Sequence, residues 1–251
     1  YSEIDNVNNI GINANLVNAN LVTGIVTGIV TGDGTDTISN IENIIGTQDK
    51  DIIIGNEKNN TLKGENSADT ISGAAGDDYI DGGSGNDTIY GIGGENTLYG
   101  GTGVDVIYAA TTKTGTERGD VVFGGQGIDT LIGSFHKDFL IGGEQNGSDV
   151  EKDWVDYSSL TNAHNYGIRV DLSSKVIFTA DGDRASLNGS YSQIFELNNS
   201  GTATANFDYI SQIEHIIGSS KNDIIKGDNI ITTDGGGNTI FAGARDDTII
   251  L

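Results

Sequence analysis

The chain has 251 residues, 36 of them acidic against 13 Lys and Arg, with 38 Gly, no Pro, Cys or Met, and a net charge of −23. Nucleic acid and anionic membrane surfaces carry the same sign of charge and are excluded as partners. No apolar run reaches bilayer length, so direct membrane insertion is excluded too, and the low hydrophobic content favours short strands joined by glycine turns over a helical or doubly wound globule.

In chain order, residues 1–45 read as a β-rich lead-in. Within it "VTGIVTGIVTG" (22–32) repeats every four residues, a period that fits neither helix nor flat strand and predicts tight turns or coils. Residues 46–156 then follow a nine-residue clock. Units begin at Gly46, Gly55, Gly64, Gly73, Gly82, Gly91 and Gly100, with Asp51, Asn60, Asp69, Asp78, Asp87, Asn96 and Asp105 in sixth place. Ile53, Leu62, Ile71, Ile80, Ile89, Leu98 and Ile107 fill the eighth place. After an insertion at 109–114 the clock resumes at Gly115, Gly124, Gly133 and Gly142, giving Asp120, Asp129 and Asp138. A second insertion precedes Asp153. Residues 157–217 form a second β-rich lead-in, where Ile168, Val170 and Leu172 alternate with polar residues as a half-buried strand does. Residues 218–251 are a second, short block that keeps Asp223 and Asp247 in sixth place.

A longer repeat overlies the short one. "DTISNIENIIGTQDKDIIIG" (36–55) and "DYISQIEHIIGSSKNDIIKG" (208–227) agree at more than half of their positions, and residues 1–16 answer 157–172. The chain is therefore expected to be two copies of one unit, a lead-in followed by a nonapeptide block. Because it opens on Tyr1 and lacks Met, it is expected to be a piece of a longer protein.

The spacing carries chemistry. An aliphatic residue in the middle of a short strand faces one side and its neighbours at positions seven and nine face the other. Two units make a coil of 18 residues, so residues 18 apart stack at about 4.8 Å. Ile and Leu become a dry column between two parallel sheets, and the glycines allow the positive φ of the turns. One edge then carries Asp51, Asp69, Asp87, Asp105, Asp129 and Asp153, and the other Asn60, Asp78, Asn96, Asp120 and Asp138. Carboxylates stacked about 5 Å apart repel one another and call for a counter-charge. Ca²⁺ takes 6–8 oxygens from carboxylates and carbonyls, whereas Mg²⁺ retains its waters and soft metals would find no Cys and only scattered His.

"GGSGNDTIY" (82–90), "GGTGVDVIY" (100–108) and "GGQGIDTLI" (124–132) resemble the repeats-in-toxin (RTX) nonapeptide, with looser copies over roughly 46–156 and 218–251. The resemblance implies an all-β, right-handed parallel β-roll that binds Ca²⁺ between turns on the same edge. It also implies export from a Gram-negative bacterium by type I secretion machinery, unfolded, with folding driven by external calcium. Carried onto this chain, one loop offers the carbonyls of its second and fourth residues and its Asp. The loop 18 residues on offers the carbonyls of its first and third residues and its Asp. The best site so implied is Gly83, Gly85, Asp87, Gly100, Thr102 and Asp105. The next is Glu65, Ser67, Asp69, Gly82, Ser84 and Asp87. A third, Gly101, Gly103, Asp105, Gly124, Gln126 and Asp129, requires the 109–114 insertion to loop out; Gly125 and Gly127 continue its turn. On the opposite edge Ala74, Gly76, Asp78, Gly91, Gly93 and Asn96 form a weaker set, one charge short. Asp120, Asp138, Asp153, Asp223 and Asp247 are further candidates, and five to eight ions are expected in all. Turns such as "GTQDKD" and "GNEKNN", which lose the fourth glycine, are expected to be caps or plain coils.

Tyr90 is expected to stack on Tyr108, and Tyr99 on Phe123. Such a stripe is explained by cross-strand stacking, with a surface glycan or a second chain as alternative partners. No nucleophile–base pair or phosphate loop stands out, so the chain is read as non-enzymatic. The expected function is a calcium-binding β-roll segment of a larger secreted or cell-surface protein, serving structure and attachment. The tail of an exoenzyme or toxin, and a self-assembling S-layer or adhesin unit, are the alternatives.

Overall fold

The computed structural model describes residues 13–15, 19–20, 25–31, 35–39, 41–109, 119–133, 138–143, 152–159, 166–171, 176–178, 189–197, 200, 203–211, 213, 215–226 and 239–250. Among these the protein is all-β. In chain order the strands are β1 (Asn13–Asn15), β2 (Ala19–Asn20), β3 (Ile25–Thr31), β4 (Thr35–Ser39), β5 (Asn43–Ile45) and β6 (Ile52–Ile54). Then come β7 (Thr61–Asn66), β8 (Thr70–Ser72), β9 (Tyr79–Ser84), β10 (Thr88–Tyr90), β11 (Thr97–Thr102) and β12 (Val106–Tyr108). The chain continues with β13 (Val121–Gln126), β14 (Thr130–Ile132), β15 (Phe139–Ile141), β16 (Trp154–Asp156), β17 (Tyr166–Asp171) and β18 (Val176–Phe178). It ends with β19 (Gly189–Leu197), β20 (Ala203–Ser211), β21 (His215–Ile217), β22 (Asn222–Lys226), β23 (Thr239–Phe241) and β24 (Thr248–Ile250).

From β5 to β16 successive strands alternate between two open parallel sheets, as a β-roll requires. One stacks β6, β8, β10, β12, β14 and β16; the other stacks β5, β7, β9, β11, β13 and β15. The register is the 18-residue offset read from the sequence, with Ile71 beside Ile89 and Leu62 beside Ile80. It becomes 24 where Ile107 pairs with Leu131 and Leu98 with Val122, so the coil takes up the inserted residues without losing phase. Residues 110–118, which hold most of that insertion, lie outside the described set, as does Leu172.

The eighth-place residues fill the space between the sheets. Ile53, Leu62, Ile71, Ile80, Ile89, Leu98, Ile107, Val122, Leu131, Leu140, Val155 and Ile225 are all fully buried in one cluster, which Ile216 of the second lead-in joins. A column of Ile and Leu on both sheets removes apolar surface from water at every rung, about 1.5–3 kcal/mol per side chain. The outward positions vary more. On β10 and β12 they are half-buried, but Val121, Phe123, Phe139 and Ile141 are buried in a second cluster with Tyr99 against it.

The lead-ins are antiparallel insertions into this parallel stack, and their pairing recurs. β1 pairs β6 in parallel and β3 in antiparallel fashion; β3 also takes β2 and β4. In the same way β17 pairs β22 and β19, and β19 takes β18 and β20. The likeness of 36–55 to 208–227 thus corresponds to a shared strand order. One expectation fails here: the period-four stretch forms strand β3 rather than turns. Ile, Val and Thr are β-branched strand residues, and β1 and β4 supply partners on both edges, which overrides the interruption by Gly28.

Candidate metal centre

Each repeat ends a strand and enters a tight turn, and the sixth residue re-enters the sheet. That residue is tied to the next coil through both backbone groups and to the preceding coil through its side chain. The Asp69 N–H donates to Asp87 Oδ1 at 2.7 Å and the Asp87 N–H to Asp105 Oδ1 at 2.8 Å. The ladder begins with the Asp51 N–H on Asp69 Oδ1 and runs on through Asp105 to Asp129 and Asp129 to Asp153. Meanwhile the Asp69 and Asp87 carbonyls accept the Thr88 and Val106 N–H groups. On the opposite edge Asn60, Asp78, Asn96, Asp120 and Asp138 are linked in the same way. Sequence reasoning placed the carboxylates in a column but missed this duty. The signal was available, because a buried sixth-place N–H needs an acceptor and the side chain one coil on is within reach.

The ladder consumes one oxygen of each carboxylate. The second oxygens of Asp69, Asp78, Asp87 and Asp105 are buried and have no hydrogen-bond donor. Each sits against the first glycine of its own loop. A Cβ at Gly64 would lie 2.2 Å from Asp69 Oδ2 and 2.4 Å from the Gly82 carbonyl oxygen; a Cβ at Gly82 would lie 2.5 Å from Asp87 Oδ2 and 2.6 Å from the Gly100 oxygen. Carboxylate and carbonyl oxygens therefore converge where no side chain can enter. Leaving such an oxygen unpaired costs about 1–3 kcal/mol, more when it is charged.

The electrostatics record the same stress. Burial pushes the Asp69, Asp78 and Asp105 carboxyls up to about 7 and Asp87 to about 6, against the downward pull of the backbone N–H that each accepts. Neighbouring acids add to the rise, Asp87 and Asp51 acting on Asp69, and Asp129 and Asp87 on Asp105.

Backbone conformation separates two kinds of turn. In loops starting at 64, 73, 82, 91, 100, 124 and 242 the chain turns left-handed: at Gly83, Gly85, Gly101, Gly103, Gly125, Gly127 and Gly243, and also at Glu65, Ser67, Ala74, Gly76, Ile92, Gly94 and Arg245. Second- and fourth-place carbonyls then point toward the following loop. A Cβ at Gly83 would lie 2.1 Å from the Glu65 oxygen, at Gly85 2.0 Å from that of Ser67, and at Gly103 1.7 Å from that of Gly85. The other kind satisfies its Asp or Asn from within. Thr47 donates N–H and hydroxyl to the two oxygens of Asp51, Ser219 does the same to Asp223, and the Asn56 N–H caps Asn60 Oδ1.

All four donor sets expected from the sequence fall between loops of the left-handed kind. The Thr102 and Gln126 carbonyls accept the Gly85 and Gly103 N–H groups, and a carbonyl oxygen has two lone pairs. The Ala74 set is the poorest, since the Asn96 amide donates to the Gly93 carbonyl at 3.3 Å and Gly93 N–H to the Ala74 carbonyl. Asp223 is engaged by Ser219, and its N–H donates to Asp247 Oδ1 at 2.9 Å. Asp138 leads into the second lead-in, donating its N–H to Asp208 Oδ1 at 3.0 Å. Asp208 Oδ2 receives the Tyr157 hydroxyl at 2.5 Å, in full burial. Burial holds both groups well above their ordinary values, so the hydroxyl keeps its proton and closes the ladder.

Among the described residues no three His, Cys, Asp or Glu side chains form a cluster of the kind that holds a metal by side chains alone. The donor set is mostly main-chain carbonyl with one or two carboxylates, all hard oxygen, which fits Ca²⁺ and gives borderline metals no nitrogen or sulfur. The aromatic stripe is spent on itself. Tyr90 stacks on Tyr108 at 4.8 Å and Tyr99 on Phe123 at 4.9 Å, so ring faces meet each other.

Compared with known families, the chain matches the RTX calcium-binding nonapeptide repeat four times, over 45–80, 72–107, 114–148 and 232–250. These stretches make up a little under half of its length and include every left-handed loop described above. No curated protein matches the chain.

Proposed function

For a chain that carries RTX calcium-binding nonapeptide repeats, we propose that the roll is a calcium-dependent folding element of a larger secreted or cell-surface protein, with a structural rather than catalytic role. The observation that supports this most directly is the set of buried, donorless Oδ2 atoms on Asp69, Asp78, Asp87 and Asp105, each facing carbonyl oxygens. Such a fold is poorly stable until a divalent cation neutralises it. The holding residues would be Glu65, Ser67, Asp69, Gly82, Ser84 and Asp87; Gly83, Gly85, Asp87, Gly100, Thr102 and Asp105; and Gly101, Gly103, Asp105, Gly124, Gln126 and Asp129. The Asp78–Asn96 set would be weaker. The Thr47, Asn56 and Ser219 turns would hold none.

This division gives the chain a switch. Inside a cell, calcium lies far below the ~10⁻⁴–10⁻³ M affinity of extracellular modules, which keeps the chain extended and suited to type I export from a Gram-negative bacterium. Outside, binding free energy becomes folding free energy. Anomalous diffraction from calcium-grown crystals tests the assignment. Peaks are expected beside Asp87 and Asp105 and none beside Thr47 or Ser219; no peak between the 82 and 100 loops would overturn it.

A further inference from the structure

The turns carry a second ladder, one place before the first. The Val104 N–H donates to Asn86 Oδ1 at 3.0 Å, the Asp77 N–H to Asn59 Oδ1 at 3.0 Å and the Glu95 N–H to Asp77 Oδ1 at 2.8 Å. Each bond joins fifth-place residues of adjacent coils on one edge. It runs against the sixth-place ladder: there an N–H reaches the carboxylate one coil on, whereas here it reaches a side chain one coil back. The nonapeptide pattern asks for no particular residue at the fifth place. Asn59, Asp77 and Asn86 are exposed, and the donor sets above leave them no part.

Peptide geometry gives them one. A trans peptide is planar, with its N–H and C=O pointing opposite ways. The Val104 N–H and the Gly103 carbonyl belong to the same peptide, so Asn86, by drawing the N–H back toward its own coil, turns the carbonyl forward. That aim is visible in the next loop, where a Cβ at Gly127 would lie 1.6 Å from the Gly103 oxygen and 2.7 Å from its carbon. Asn59 acts alike through the Asp77 N–H, and a Cβ at Gly94 would lie 1.9 Å from the Gly76 oxygen and 2.4 Å from its carbon. Gly103 and Gly76 are the fourth-place members of two proposed donor sets. The Gly85 carbonyl of another set also points forward, a Cβ at Gly103 lying 1.7 Å from its oxygen. One coil behind Asn86, however, the fifth place is Ala68, which has no side-chain acceptor for the Asn86 N–H.

We propose that fifth-place Asn residues are positioning residues for the cation sites. Asn86 fixes the Gly103 carbonyl for the site between the 100 and 124 loops, and Asn59 fixes the Gly76 carbonyl for the Ala74 set. A donor held in place beforehand loses less freedom on binding, and groups that orient metal ligands tune affinity in this way. The site between the 82 and 100 loops lacks the device, so it is the one that an added Asn improves. The inference deepens the calcium reading above and rests on it.

Crystals of the full chain, grown in calcium and equilibrated at stepwise lower calcium, separate binding from folding. Anomalous peak heights then read both sites in one crystal. Asn86→Ala should raise the calcium concentration that half-fills the site between the 100 and 124 loops about three- to tenfold, and leave the site between the 82 and 100 loops where it was. Asn86→Asp, which keeps the acceptor, should stay at or below the parent value. Ala68→Asn should lower the half-filling concentration between the 82 and 100 loops by a similar factor. An Asn86→Ala variant whose 100–124 midpoint stays in place, or whose two sites move together, would overturn the positioning role. Parent crystals with no peak at either site would overturn the calcium reading itself, and the positioning role with it.

Discussion

Asp87 Oδ1 accepts the Asp69 N–H, whereas Oδ2 faces Gly82 and the Gly100 carbonyl without a donor. The two oxygens can be separated by substitution. Asp87→Asn keeps an acceptor for the ladder and loses the charge; Asp87→Ala loses both. In saturating calcium the alanine variant should lose about 1–3 kcal/mol more in denaturant unfolding than the asparagine variant, from the orphaned N–H. Both should raise the calcium concentration needed to fold, because Asp87 stands in two of the proposed donor sets; an unchanged calcium midpoint in Asp87→Asn would count against its role. The turns make a second residue-scale prediction. Gly85 has φ of 136° and a Cβ there would sit 2.0 Å from the Ser67 oxygen, so Gly85→Ala should cost about 2–3 kcal/mol. Ile92 holds φ of 70° without being glycine, and Ile92→Gly should gain about 1 kcal/mol. Denaturant midpoints check both.

At the scale of strands and turns, the raised carboxyls set a pH dependence. Asp69, Asp78 and Asp105 titrate near 7 and Asp87 near 6 in the metal-free fold, against an ordinary 3.8. The folded chain therefore holds more protons than the unfolded one between about pH 4 and 7, and metal-free stability falls as pH rises through that window. In chelator, β-structure should increase from pH 8 to pH 5. In calcium the sign reverses, since protons compete for the same oxygens, and the folding midpoint should move to higher calcium below pH 7. A metal-free signal that ignores pH would contradict the ladder. The junction has its own test: Tyr157→Phe leaves Asp208 Oδ2 buried without a donor and should destabilise the β15–β20 contact by about 1–3 kcal/mol, seen as faster amide exchange there. Nine-residue spacing made the strands and turns legible because buried aliphatics and positive-φ glycines both leave a mark at fixed places. It misled at β3, where pairing on two edges outweighed the local pattern. Nor did it show that Thr47 and Ser219 hydroxyls satisfy Asp51 and Asp223, since a hydroxyl two places into a turn looks like any surface residue.

For the molecule as a whole, the acid excess and the glycine content oppose folding, through repulsion and through entropy. The interior column of Ile and Leu favours it but is one residue wide on each sheet. The parallel stack was legible in the sequence, and the 24-residue steps confirm that inserted residues leave the phase intact. How the lead-ins enter the stack was not legible, because antiparallel insertion depends on which edges remain free after the roll has formed. Under the proposed function, strand pairing and the dry column fall short of stabilising the acid ladder until hard cations join adjacent coils. Far-ultraviolet circular dichroism across a calcium titration measures that balance directly. At pH 8 the chain should be coil in chelator and in millimolar magnesium, with a cooperative rise of β-structure in millimolar calcium. A full β-spectrum in chelator at pH 8, unchanged by added calcium, would contradict it.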